Sequence, residues 1–128
     1  MMENTEAIVA RLEKLEFHVK LLAESLNHTE NPIASLVVNF DWSEQDLDAA
    51  HDIFEMFDKK LQESEKINWC DLEKEFNEKL NISYQGLKSV ILAFNRNGQW
   101  TEVCHAYASS FGDSVSLELK SIALGHVR

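Results

Sequence analysis

A chain of 128 residues with 45% apolar and 27% charged side chains has the size and composition of one ordinary globular domain. It is large enough to bury roughly two-thirds of its unfolded surface without a disulfide or a metal. One proline and four glycines exclude a turn-rich sheet protein, and a net charge of −10 disfavours a phosphate backbone as partner.

In chain order, the first predicted helix runs from about Glu3 to about Leu26. Ile8, Leu12, Leu15, Val19, Leu22 and Leu26 recur at spacings of 4, 3, 4, 3, 4. That is an a/d seam held for nearly three heptads, with Leu12, Val19 and Leu26 at a and Ile8, Leu15 and Leu22 at d. Phe17 and Leu21 lie off the seam, four residues apart, and form a second apolar patch. The seam is read as the surface for a second chain and the Phe17 patch as the contact with the rest of the fold, although the two roles could be exchanged. One broad core face is the competing reading.

After the polar break Asn27-His28-Thr29-Glu30, Asn31-Pro32 reads as a helix start, with Asn31 as cap and Pro32 at the first helical position. Ile33, Leu36, Val37 and Phe40 give it a buried side. Ser43 with Asp46 approximates a capping box and opens a longer helix carrying Leu47, Ala50, Phe54, Phe57 and Leu61. Asn68 is the expected cap of the next helix, with Trp69, Leu72, Phe76 and Leu80 inward. Ser83 caps another, with Leu87, Val90, Ile91 and Phe94 inward, closed by Asn97-Gly98. Trp100, Val103, Cys104, Tyr107 and Phe111 make one more. The tail alternates at Val115, Leu117 and Leu119 like a strand. A lone strand has nothing to pair with, so helix is preferred there.

Three stretches resemble a known family: Arg11 to Phe17 running into Val19 to Leu22, Pro32 to Leu36 followed by Trp42-Ser43-Glu44, and Asn77 to Ile82. They are similar to the small bacterial helical proteins of the YhaI type, a domain of unknown function, over about residues 8–111. The resemblance implies a compact helical fold and carries no activity. The tail after Gly112 looks like an extension beyond the family pattern.

Several constellations invite a sharper chemistry. The segment 69–96 has helix-turn-helix rhythm, with Tyr84, Gln85, Lys88 and Ser89 at the expected exposed start of the second helix, where a DNA reader meets base edges. Glu73, Glu75 and Glu78 on the preceding helix outweigh Lys88 and Arg96, so nucleic acid is disfavoured. Asp48-x-x-His51 and Glu102-x-x-His105 have di-iron-like spacing, but His105 is expected to point away from Val103 and Tyr107. Five histidines in a chain of this length generate such spacings by chance. Cys104 and His105 are neighbours on a helix, about 100° apart, and cannot pair. No glycine-rich phosphate loop or serine elbow occurs. Trp42, Trp69 and Trp100 read as anchors that pin helix ends.

Cys70 and Cys104, each inside an apolar helical pattern, read as small hydrophobes. The charged N-terminal segment lacks a secretory-leader pattern, and no stretch approaches the roughly 20 apolar residues of a membrane span. The expectation is therefore a cytoplasmic, all-α protein without catalytic, cofactor or metal residues. It is expected to be one helical domain, 1–128. Within it 3–27 is an oligomerisation helix, 32–111 a helical core and 112–128 a C-terminal extension. Its expected role is a homo-oligomeric interaction module, with a dimer favoured. The acidity either serves solubility or suits a basic, nucleic-acid-binding protein partner that the module regulates or inhibits. A DNA-binding regulator using 69–96 is the alternative.

Overall fold

The computed structural model describes residues 4–125, and the expected start at Glu3 lies outside them. Among the described residues there are seven α-helices and no strand: α1 Thr5–Glu24, α2 Pro32–Asn39, α3 Glu44–Gln62, α4 Cys70–Leu80, α5 Tyr84–Arg96, α6 Thr101–Ser109 and α7 Leu117–Ala123. A short 3-10 turn, Gly112–Ser114, precedes α7.

The helix starts follow side-chain chemistry. The Asn4 Oδ1 accepts from the Glu6 N–H at 2.8 Å and caps α1. At α3 the capping box is complete: Ser43 Oγ accepts from the Asp46 N–H, and the Asp46 carboxylate accepts from the Ser43 N–H at 2.9 Å. Asn68 Oδ1 accepts from the Cys70 N–H, and Ser83 Oγ from the Gly86 N–H. One expected cap is absent, since the Asn31 side chain makes no capping bond. Asn27 shapes the approach instead, its Oδ1 accepting from the Thr29 N–H at 2.8 Å, and Pro32 starts α2 through its fixed φ.

The core is built from α2 to α7. Phe54 of α3, Phe76 of α4 and Phe94 of α5 cluster, with Phe54 5.4 and 4.9 Å from the other two ring centroids. Each tryptophan packs at the core edge: Trp42 stacks on Phe40, Trp69 on Phe57 and Trp100 on Phe54. Helix α5 is central, packing against α2, α4, α6 and α7.

The tail is helical over Leu117–Ala123, as preferred, and Leu119 and Ile122 are buried in the common core. The first helix is shorter than expected. Ser25 caps it, its hydroxyl donating to the Leu22 carbonyl at 2.7 Å, so Leu26 lies just past the helix, half-buried.

Candidate interaction surface

Helix α1 has 20 residues, about 30 Å at 1.5 Å per residue, and none of them is buried. The seam residues within it are open to solvent, from 39% exposed at Ile8 to 67% at Leu22, with Leu12, Leu15 and Val19 between. Together these side chains leave one apolar side of α1 open to solvent.

The expectation for the other side of α1 fails. Phe17 is 58% exposed and Leu21 is 49% exposed, so this patch does not seat α1 on its own fold. Helical periodicity identifies which residues share a face. It does not identify what covers that face, and here the core of α2 to α7 closes without α1.

The other singled-out residues have structural partners. Lys88 is only 9% exposed; its Nζ lies 3.3 Å from Glu118 of α7 and 4.8 Å from the Tyr84 ring centroid. It therefore does not stand at an exposed helix start, because α7 covers it, while Tyr84, Gln85 and Ser89 are exposed. His51 is half-buried, and its Nδ1 accepts from the Trp100 Nε1–H at 3.0 Å, which places the imidazole proton on Nε2. The pairing spans 49 residues of sequence, and no local pattern announces it.

His105 is exposed, as expected, with Nδ1 3.0 Å from the Ile122 carbonyl. It lines an open groove of about 590 Å³ with Asn95, Thr101, Glu102 and Ile122. Among the described residues no three His, Cys, Asp or Glu side chains converge as a metal site. Cys104 is buried, and burial pushes its thiol up to about 12. Cys70 was expected to be a packed hydrophobe like Cys104; it is exposed at the first turn of α4, on the outer side of the helix that buries Leu72 and Phe76.

A family model described as a protein of unknown function (DUF1878) matches residues 5–110. The chain belongs to this family. The match begins with α1, so the exposed helix is inside the family unit, and it ends before α7. Neither a curated protein nor a solved structure matches the chain. Among the described residues no helix is long and apolar enough to cross a membrane.

Proposed function

We propose that this chain is a YhaI-type, cytoplasmic interaction module that assembles with copies of itself through the coiled-coil-like seam of α1 and works by assembly rather than by chemistry. The observation that carries the reading is the exposure of Ile8, Leu12, Leu15, Val19 and Leu22 along one side of a helix with no buried residue. A fully buried aliphatic side chain is worth roughly 1.5–3 kcal/mol. Covering the exposed part of five on each of two copies gives on the order of 10 kcal/mol, comparable with the association cost of about 4–15 kcal/mol. The net charge of −10 supports a further protein partner with a basic surface, such as one that binds nucleic acid.

The test is a pair of substitutions, Leu15→Glu and Leu22→Glu, in the full chain. Light scattering should give an oligomer for the unchanged protein and a monomer for the variant. An unchanged protein that is monomeric across the accessible concentration range removes the reading.

A further inference from the structure

We infer that the cleft between α2 and α5 binds a small, soluble phosphate-class oxyanion, anchored by the Arg96 guanidinium. The site is independent of how α1 is covered. The cleft encloses about 170 Å³ and is lined by His28, Ser35, Asn39, Ser89 and Arg96 over Leu36. The two helices run antiparallel: a Cβ at Gly86, in the first turn of α5, would stand 3.4 Å from the ring of Phe40, just past α2. Arg96, at the end of α5, therefore lies toward the start of α2, where His28 and Ser35 line the same cleft.

Charge sets this cleft apart from the rest of the molecule. The chain has 22 acidic residues, yet none falls in α2 or α5, and none of the described residues lining the cleft is acidic. Glu30, two residues after His28, is exposed and does not line it. Arg96 is half-buried, and among the described residues its guanidinium has no ion pair and no hydrogen bond. Glu118 lines the neighbouring cleft with Arg96, but its carboxylate pairs with Lys88 at 3.3 Å. A partly desolvated charge without a counter-charge gains from an anion. The guanidinium fork meets two phosphate oxygens at once. Ser35 Oγ accepts from Asn39 Nδ2 at 3.4 Å, which leaves its own O–H to donate. His28 offers an N–H whether its imidazole is neutral or protonated. One anchoring cation in a chain of net charge −10 suits a small anion rather than a nucleic acid, which needs several.

The experiment titrates sodium phosphate into the full chain and follows the backbone amide resonances, with sodium chloride at matched ionic strength as reference. Saturable shifts in the millimolar range, confined to residues 28–39 and 89–96, are expected. Arg96→Gln should weaken binding roughly tenfold or more, because it removes a charge-assisted pair. Arg96→Lys should fall between, keeping the charge without the fork. Ser35→Asp leaves Arg96 in place but sets a carboxylate in the cleft, and it should abolish the shifts. Lys59→Gln, a cation outside the cleft, should change nothing. Amide dispersion shows whether each variant is folded, and if Arg96→Gln is not, Ser35→Asp decides. Shifts that never saturate, or saturation that survives in folded Arg96→Gln or Ser35→Asp, overturn the site. Tighter saturation by sodium acetate overturns the phosphate class. Retention on phosphatidic acid vesicles that Arg96→Gln abolishes overturns a soluble anion in favour of a lipid headgroup.

Discussion

Cys104 lies on α6 with its sulfur 3.7 Å from the Ile91 carbonyl and none of its surface in solvent. Burial holds the thiol protonated up to about pH 12, against an ordinary value of 9.0. Below pH 9 the group is neutral in the folded and the unfolded chain and gives stability no slope. Above it the unfolded chain ionises and the folded chain does not, so stability falls as pH rises from about 9 to about 12. The fall is up to about 4 kcal/mol. Burial, then the bond to Glu73, pushes the Tyr107 hydroxyl up as well, with the same sign. The urea midpoint should therefore drop between pH 8 and 10.5, and Cys104→Ala should flatten the drop. A thiol reagent should label one cysteine, Cys70, in the native chain and two in urea. The residue types alone gave Cys70 and Cys104 the same role. Spacing separates them: Cys104 shares the side of α6 that carries Val103 and Tyr107, while Cys70, two residues before Leu72, lies about 200° around α4 from it.

At the scale of elements, the local chemistry was readable. Ser43 with Asp46, Ser83 and Asn68 mark helix starts because a side-chain oxygen there satisfies an otherwise unpaired N–H. The 4-3-4-3 spacing of α1 marks a single apolar side. The tail was ambiguous because Val115, Leu117 and Leu119 satisfy a period of two, while Leu119 and Ile122 satisfy a helical one. The helical pair is what the core takes, leaving Leu117 88% exposed. Leu119→Ala should accordingly cost about 3 kcal/mol in urea unfolding. A cost under about 1 kcal/mol would mean that α7 is not part of the cooperative core. The contacts that escaped the reading, Trp100 with His51 and Lys88 with Glu118, join residues far apart in sequence. A fold is needed before either can be seen.

For the whole molecule, the question is why a chain that buries Phe54, Phe57, Phe76 and Phe94 completely leaves a leucine-rich helix uncovered. The core of α2 to α7 is closed by its own side chains, so α1 adds nothing to it. The proposed self-assembly would cover it with a second copy, and requires that the mutual repulsion of two chains of net charge −10 be screened. At 0.15 M salt the Debye length is about 8 Å, which confines that repulsion to close contacts. The most direct measurement is sedimentation equilibrium of the unchanged protein at this salt over a wide concentration range. The account predicts a concentration-dependent approach to twice the 14.7 kDa chain mass. A mass that stays at one chain throughout would contradict it.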